Sequence, residues 1–387
     1  MKTRRISIVA LIIGIIITIS FRQYNFSNHL IINPIFSGTT MGTSYNIKII
    51  DQISPKKYKE ISSSINNLLM NYNNQMSTWI DNSEINTFNR STSLLPYKID
   101  FEFYNIVKKA LEISELSNGY YDPTIQPLYD LWGFGSGSTD HQINNFPSLS
   151  LIDNNLDKVG YKKIKTITWK SELRNLNNNG LQKIQPSITL NLGGIAKGAA
   201  SDRIIYLLSG NKSKYHDVQN TEISNNIKKY QFKNIYVDIG GDVSVLGLNQ
   251  DNKPWKIGIQ MPSSSLFDIN DLYGIISITN GSFATSGNYY NFKKNDDKKY
   301  AHIIDPKTGM AINSDLVSVS VYHPDGAYAD GLATAIYVMG LGKGLDMIHS
   351  IEGEAMIIKQ NTDNTFSQYF STNFILKTNF KKINHKD

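Results

Sequence analysis

The sequence predicts an α+β protein with mixed, largely antiparallel sheets and packed helices, preceded by an N-terminal membrane anchor. Strand-like and helix-like segments alternate along the 387 residues without the strict βαβ repeat of a doubly wound fold. Hydrophobic residues make up 40% of the chain, which is enough to bury a large core. A short apolar run at the N-terminus stands apart from this pattern.

That N-terminal run has the form of an export signal. Basic residues precede an apolar stretch over 6–19, as in the n- and h-regions of a signal sequence. Because no small-x-small cleavage site follows, we expect an uncleaved signal anchor over 1–22, with its basic end cytoplasmic and the rest of the chain exported. A cleaved signal peptide is the alternative. Residues 23–35 are expected to form a tether.

Hydrophobic periodicity then predicts the elements of one domain over 36–380. The alternation of Tyr45, Ile47 and Ile49 predicts a strand at 45–49. Segments rich in β-forming residues, punctuated by Gly, Asn and Asp, predict strands at 235–239, 243–246, 255–260, 273–278 and 317–322, and a last strand is expected at 355–358. Helical spacing and capping residues predict a helix after Ser54-Pro55, one capped by Asp100, one that follows a strand and Gly193-Gly194, and a last one near Asp330. The Asn- and Lys-rich stretch 209–233 is expected to be a polar surface insert.

Composition excludes several classes of function. The net charge is +6 and part of it lies at the two ends of the chain, with no long basic stripe between them, which argues against nucleic acid as a partner. A modest positive field suits an anionic small ligand or an anionic membrane surface. The chain has no cysteine, so disulfides, thiolate nucleophiles, cysteine metal sites and a lipoprotein anchor are excluded.

The block LNLGGIAKG at 190–198 has the features of a phosphate site. Two glycines before a helix expose backbone N–H groups at its positive end, and Lys197 adds a point charge. The block lacks the spacing of a P-loop or of the dinucleotide-binding fingerprint. A tight turn that serves only packing is the alternative interpretation.

The block ADGLAT at 329–334 offers oxygen ligands for a metal. Asp330 and Thr334 are four residues apart, so a helix places them on the same face. A carboxylate and a hydroxyl suit Mg²⁺, which also takes waters and substrate phosphates. The competing interpretation is that Asp330 caps the helix, and the two roles are compatible.

Two further features are candidates for catalysis and ligand stacking. In AHIIDPKTG, His302 is a candidate proton acceptor three residues before Asp305, although a structural histidine beside an Asp-Pro turn is equally consistent with this pattern. No zinc spacing and no G-x-S-x-G elbow occurs. Trp79, Tyr120 and Tyr121 suit a flat heterocycle, and a place in the core is the alternative for each.

Taken in order, the motifs resemble those of the ApbE family, the FAD:protein FMN transferases. The resemblance covers about Phe36 to Ile358 and runs through MGT, MSTW, GYYDPTIQPLYDLWGFG, LNLGGIAKG, DIGGDV, ATSGNYYNF, AHIIDPKTG and ADGLAT. It implies an ApbE-like fold and a Mg²⁺-dependent transfer of FMN from FAD to a Thr or Ser of another flavoprotein, with release of AMP.

The resemblance also implies roles for individual residues. The positions that match the family's FAD contacts are Met41, Trp79, Tyr120, Tyr121, Asp122, Asn191, Lys197 and Ile304. The implied Mg²⁺ ligands are Gly194, through its carbonyl, Asp330 and Thr334. His302 and Asp305 are the implied catalytic pair, with Asp305 orienting His302.

The resemblance further implies the setting of the reaction. The expected acceptors are flavoprotein subunits of Nqr- or Rnf-type membrane respiratory complexes, and the expected location is the periplasmic side of a bacterial inner membrane. Asn191 stands where the family often has Asp, and Trp79 where it frequently has Tyr. A Mg²⁺-dependent FAD pyrophosphatase and a non-enzymatic flavin carrier are the alternative functions.

Overall fold

A computed structural model describes residues 30–135, 146–170, 177–210, 230–261, 272–287, 292–295 and 298–383. The predicted anchor over 1–22 and most of the predicted insert, 211–229, lie outside these ranges. The helices are α1 Pro55–Met76, α2 Glu84–Arg90, α3 Phe101–Leu116, α4 Gln126–Leu131, α5 Leu149–Leu156, α6 Ala196–Ser209, α7 Gly326–Met339, α8 Leu341–His349 and α9 Phe374–Thr378.

The strands are β1 Ile31–Ile32, β2 Ile35–Thr40, β3 Thr43–Ile49, β4 Gln52–Ile53, β5 Tyr97–Ile99, β6 Ile164–Lys170, β7 Asn177–Lys183, β8 Ile235–Ile239, β9 Asp242–Leu246, β10 Trp255–Gln260, β11 Leu272–Ile278, β12 Asn280–Gly287, β13 Phe292–Asn295, β14 Lys298–Ala301, β15 Leu316–His323, β16 Glu354–Gln360, β17 Phe366–Phe370 and β18 Lys381–Lys382. An eight-stranded sheet in the order β17-β16-β15-β12-β9-β8-β3-β2 dominates the fold. Within the described ranges each strand pairing is antiparallel, which confirms the predicted α+β class.

The large sheet separates two hydrophobic cores. Side chains alternate across a strand, so Ile357 of β16 belongs to one core and Ile358 to the other. The first core contains Leu332 of α7 together with side chains from α1, α3 and α6. The second contains Trp255 of β10 and Ile276 of β11, in the three-stranded sheet β10-β11-β18. The longer helices α1, α3, α6 and α7 therefore cover one face of the large sheet, and the small sheet together with the short helix α9 covers the other.

A smaller third core supports the loop that carries His302. Leu128 and Trp132, in and just after α4, pack with Ile304 and Ala311. The indole N–H of Trp132 donates to the carbonyl oxygen of Gly309 at 2.8 Å. This core therefore fixes the loop at both of its ends.

Most predicted elements are confirmed, and the differences are local. The helix that was expected to be the last, α7, begins at Gly326 and not near Asp330, and Asp325 is its cap. Two further helices, α8 and α9, follow it. The segment before Gly193 is irregular and not a strand. Strands β17 and β18 follow the strand expected to be the last.

The predicted insert also differs at its C-terminal end. Tyr230 and Phe232 are buried in the first core, so this end of the 209–233 range belongs to the folded body. Among the described residues, no helix combines the length and apolar character that a membrane span needs.

Candidate active site

Helices α6 and α7 cross at two glycines, and this crossing sets the geometry of the site. A Cβ added to Gly198 would lie 2.0 Å from the carbonyl oxygen of Gly326, and one added to Gly326 would lie 2.2 Å from that of Gly198. Only glycine fits at such a backbone approach. The crossing places the first turn of α6 directly beside Asp330 in α7.

The glycine turn before α6 is held by side-chain hydrogen bonds. The Asn191 side-chain oxygen accepts from the N–H of Gly193 at 2.8 Å, and the Asn191 amide donates to Gln126 Oε1 at 2.8 Å. Asn89 of α2 bonds both the N–H and the carbonyl oxygen of Leu190, at 2.7 and 2.9 Å. The turn is thus fixed before any ligand binds.

The alternative interpretation of Asp330, as the cap of its own helix, is wrong, because Asp325 takes that position. The Asp330 carboxylate instead accepts from the Gly198 N–H at 3.1 Å, one of the amides in the first turn of α6 that lack a partner within the helix. Asp330 is only 4% exposed. A buried carboxylate at the positive end of a neighbouring helix is well stabilised and leaves further oxygen capacity for a cation.

The three predicted metal ligands come together. Asp330 and Thr334 lie one turn apart in α7, and a Cβ built on Gly194 would lie 3.1 Å from the Thr334 hydroxyl oxygen. The described residues contain no cluster of three His, Asp or Glu side chains that could hold a metal alone. One carboxylate, one hydroxyl and one backbone carbonyl fit Mg²⁺, whose remaining positions are usually filled by water and substrate phosphate.

Lys197 lies between two carboxylates. Its ammonium group is in direct contact with Asp242 Oδ2 and lies 3.6 Å from Asp330 Oδ2. Burial alone lowers the pKa of Lys197, but the two carboxylates raise it by more, so the lysine is charged. Burial and the charge of Asp330 raise the pKa of Asp242 to about 7, against the opposing effect of Lys197.

Tyr121 carries a hydroxyl with no hydrogen-bond partner in the part of the chain that the structure describes. The side chain is 4% exposed, and among the described residues its Oη is a buried polar atom without a hydrogen bond. Its ring lies 3.3 Å from a Cβ built on Gly194. Burial, then the charges of Asp330 and Asp122, raise the pKa of Tyr121 well above its usual value, so it is a neutral donor. Such an orphaned donor indicates that a ligand atom completes the site.

His302, Ile304 and Asp305 occupy a separate loop. The His302 ring meets Phe134 edge-on, with centroids 6.5 Å apart. Ile304 is buried in the third core and forms an isolated bridge with Ala311. The Asp305 carboxylate accepts from the Lys307 N–H at 2.8 Å, a contact that shapes the turn. The catalytic roles of His302 and Asp305 stay predictions.

The other predicted FAD contacts lie in three further segments of the chain. Met41 has a left-handed backbone (φ 50°) in the turn between β2 and β3, and Trp79 is 64% exposed between α1 and α2. Lys307 Nζ lies 4.0 Å from the Tyr120 ring, and Lys343 donates to the Tyr120 hydroxyl at 2.7 Å.

Asp122 serves its own loop. Its carboxylate accepts from the N–H and hydroxyl of Thr124 and from the N–H of Tyr161. Burial raises the pKa of Asp122 although these hydrogen bonds lower it. The geometry therefore gives Asp122 a role in shaping the Tyr120–Tyr121 segment, and its contact with FAD stays a prediction.

Two functional candidates were missed by the sequence analysis. Asp242 contacts Lys197, and the Ser286 hydroxyl lies 3.1 Å from that of Thr334. Both belong to motifs that carried the resemblance, DIGGDV and ATSGNYYNF. The signal for Asp242 was the pair Gly240-Gly241, whose positive φ angles make the tight β8–β9 hairpin that aims it.

Comparisons with known proteins identify the family of this chain. The profile of the ApbE family matches residues 41–358. A relative from Vibrio cholerae serotype O1, named FAD:protein FMN transferase, is 34% identical over 338 residues, 87% of this chain and 90% of its own. A relative of the same name from Haemophilus influenzae is 29% identical and covers 89% of this chain and 92% of its own.

Solved structures give the same result. The flavin transferase ApbE of Vibrio cholerae superimposes with a TM-score of 0.73 at 31% identity, over 90% of this chain and 100% of its own. A Thermotoga maritima ApbE protein gives a TM-score of 0.69 at 25% identity, over 89% and 99% of the two chains. This chain belongs to the ApbE family.

Proposed function

We propose that this chain is a Mg²⁺-dependent FAD:protein FMN transferase that attaches FMN to a Thr or Ser side chain of another protein and releases AMP. The names of its relatives support the transferase activity and FAD as its substrate. One structural observation carries the proposal: Gly194, in the turn before α6, and Lys197 of α6 converge with Asp330 and Thr334 of α7. They lie beside Tyr121, whose hydroxyl has no hydrogen-bond partner among the described residues.

The turn at 193–194 and the start of α6 bind the FAD diphosphate. Backbone N–H groups at a helix N-terminus attract anions, and the Lys197 ammonium adds positive charge there. The Tyr121 hydroxyl donates a hydrogen bond to the bound substrate. Because Tyr121 is buried, the ring of FAD depends more on the exposed indole of Trp79 for stacking.

Gly194, Asp330 and Thr334 would hold Mg²⁺. When bound, the cation supplies charge neutralisation and Lewis acidity at the diphosphate. The Asp330 carboxylate needs no rearrangement for this, since its contact with the Gly198 N–H already fixes it. Ser286 holds the Thr334 hydroxyl in place.

The reaction exchanges one phosphate bond for another. The acceptor hydroxyl oxygen forms a bond to the FMN phosphorus, the bond from that phosphorus to the bridging oxygen of the diphosphate breaks, and AMP leaves with that oxygen. His302 takes the proton of the hydroxyl, and Asp305 holds the turn that presents it. No oxidation or reduction occurs, because FAD is a donor substrate here.

The proposed setting follows from the N-terminus. An anchor over 1–22 would hold the enzyme at the periplasmic face of the inner membrane, close to flavoprotein subunits of Nqr- or Rnf-type complexes. The mass of the membrane-bound chain tests the anchor, because an uncleaved chain keeps all 387 residues.

Intact-mass measurement of a candidate acceptor tests the proposed function. After incubation with the full chain, FAD and Mg²⁺, the acceptor is expected to gain the mass of one FMN residue, with one AMP released per acceptor. An acceptor whose target Thr or Ser is replaced by Ala is the control. Steady AMP release without acceptor would show a pyrophosphatase, and bound FAD without turnover would show a carrier.

A further inference from the structure

Asp242 enters the site from a strand that carries none of the predicted ligands. It is the first residue of β9, directly after the tight Gly240-Gly241 turn, and it is 2% exposed. The Thr285 N–H of β12 lies 3.3 Å from its Oδ1. One carboxylate oxygen is therefore held by the backbone of the large sheet, and the other contacts Lys197 of α6.

The Lys197 ammonium is shared unequally between Asp242 and Asp330. It is in direct contact with Asp242 but 3.6 Å from Asp330, outside normal hydrogen-bond distance. Both carboxylate side chains are nearly buried, with 3% and 6% exposure, whereas that of Lys197 keeps 28%. The ammonium group therefore needs only a small shift to leave Asp242 and contact Asp330.

The position of Lys197 decides whether Asp330 is free for a cation. An ammonium group in contact with the Asp330 carboxylate would occupy an oxygen that Mg²⁺ needs and would repel the cation at short range. Contact with Asp242 prevents this. It also leaves the positive charge close to the N-terminus of α6, where the diphosphate is proposed to bind.

We infer that Asp242 is a positioning residue that holds Lys197 away from Asp330 and so keeps the Mg²⁺ site open. This inference rests on the proposed function in one respect, the assignment of Asp330 to Mg²⁺. It adds a residue and a role: Asp242 touches neither the cation nor FAD, and it acts only through Lys197.

Mg²⁺ titration of the full chain without FAD tests the inference, with binding heat or the rise in melting temperature as the signal. Asp242→Asn keeps the shape and the acceptor for Thr285 but removes the charge, so Lys197 is expected to move to Asp330. We expect Mg²⁺ affinity to fall about tenfold or more. Asp315→Asn, at a surface ion pair with Lys359, is the matched control and should not change Mg²⁺ affinity.

The double variant Lys197→Gln with Asp242→Asn separates positioning from a structural role. Removal of the competing ammonium is expected to restore Mg²⁺ affinity to within about threefold of the wild type, although FMN transfer stays low without Lys197. A crystal structure of Asp242→Asn should show the ammonium in hydrogen-bond contact with Asp330.

Two results would overturn the inference, and they are distinguishable. If the wild type binds Mg²⁺ and Asp242→Asn binds it equally well, or loses affinity that the double variant does not recover, Asp242 does not act through Lys197. The proposed function then stands. If the wild type binds no Mg²⁺ and FMN transfer needs none, the metal assignment fails and the inference fails with it.

Discussion

The carboxylate of Asp330 joins the two helices of the site. It lies in α7, five residues after the cap Asp325, and accepts from the Gly198 N–H in α6. A buried carboxylate that has no capping role in its own helix is costly unless positive groups or a cation offset it. The burial of Asp330 beside α6 is therefore a stronger argument for a metal ligand than its spacing from Thr334 in the sequence.

Replacing Asp330 by Asn tests that role. The amide oxygen still accepts from Gly198, so the melting temperature without Mg²⁺ should stay within about 3 °C of the wild type. FMN transfer at fixed Mg²⁺ is expected to fall about 100-fold, because a charged ligand is lost. Transfer at the full rate with ordinary Mg²⁺ dependence would contradict the metal assignment.

Replacing Tyr121 by Phe tests whether its hydroxyl serves the substrate. Since the buried hydroxyl lacks a partner within the described protein, its removal should change the free energy of unfolding by no more than about 1 kcal/mol. The KM for FAD is expected to rise about tenfold. Urea unfolding and steady-state kinetics measure the two effects. A large loss of stability with an unchanged KM would assign Tyr121 to the core alone.

Single residues were predictable where local spacing determines their neighbours. The helical period alone places Asp330 and Thr334 on one face, and this pairing is present in the structure. The Lys197–Asp242 contact joins positions 45 residues apart, and no period connects a helix with a hairpin from another part of the chain. Asp242 was therefore missed although its motif had been noticed.

At the scale of elements, the α6–α7 crossing depends on two glycines that leave no room for a side chain. Gly198→Ala would force the helices apart and is expected to cost about 3 kcal/mol or more in the free energy of unfolding. Urea unfolding measures this loss.

Gly342→Ala is the matched control for that variant. Gly342 lies in α8 with nothing within 4 Å of an added Cβ, so this change should be neutral or stabilise by up to about 1 kcal/mol. Equal effects at the two glycines would show that close helix packing is not what Gly198 provides.

A pH dependence arises between the same two helices. Asp202 of α6 is buried near Asp325, the cap of α7. Burial, followed by the charge of Asp325, raises the pKa of Asp202 to about 8, although Lys109, Arg203 and the Gly326 N–H oppose the shift. The pKa of an unfolded Asp is about 3.9, so between these values the folded chain binds the extra proton. The contribution of Asp202 to the free energy of unfolding is fully present below about pH 4 and is lost as the pH rises through about 8.

Asp202→Asn removes this titration and keeps an acceptor for Gly326. The variant and the wild type should be similar at pH 5, and the variant should be more stable by about 1 kcal/mol or more at pH 9. Urea midpoints between pH 5 and pH 9 measure the difference. A constant difference across that range would show that Asp202 does not titrate as described.

Helices and strands were predictable where their hydrophobic periodicity is clear. The alternation in β10 gave both ends correctly, because each second residue is buried. The start of α7 was misplaced because its first turn, from Gly326, contains small residues with no clear period. Short helices such as α2 and α4 were missed, since seven or six residues give too little periodicity.

At the scale of the whole molecule, the site assembles from segments far apart in the chain. Tyr121, Gly194, Asp242 and Thr334 meet because α6 and α7 pack on the same face of the eight-stranded sheet. The order of strands in that sheet, with β12 between β15 and β9, is not determined by local patterns. The family resemblance compensated for this in part, because it predicted that Gly194, Asp330 and Thr334 lie together, whereas the arrival of Asp242 was not predicted.

In the proposed site, Gly194, Asp330 and Thr334 hold a divalent cation against the diphosphate of bound FAD. A crystal structure with FAD and Mn²⁺ in place of Mg²⁺ tests it directly, because anomalous scattering locates the metal. We predict one peak about 2.0–2.3 Å from the Gly194 carbonyl oxygen, the Asp330 carboxylate and the Thr334 hydroxyl, with diphosphate oxygens completing the shell. A cation elsewhere, or FAD bound with its diphosphate away from the 193–194 turn, would contradict it.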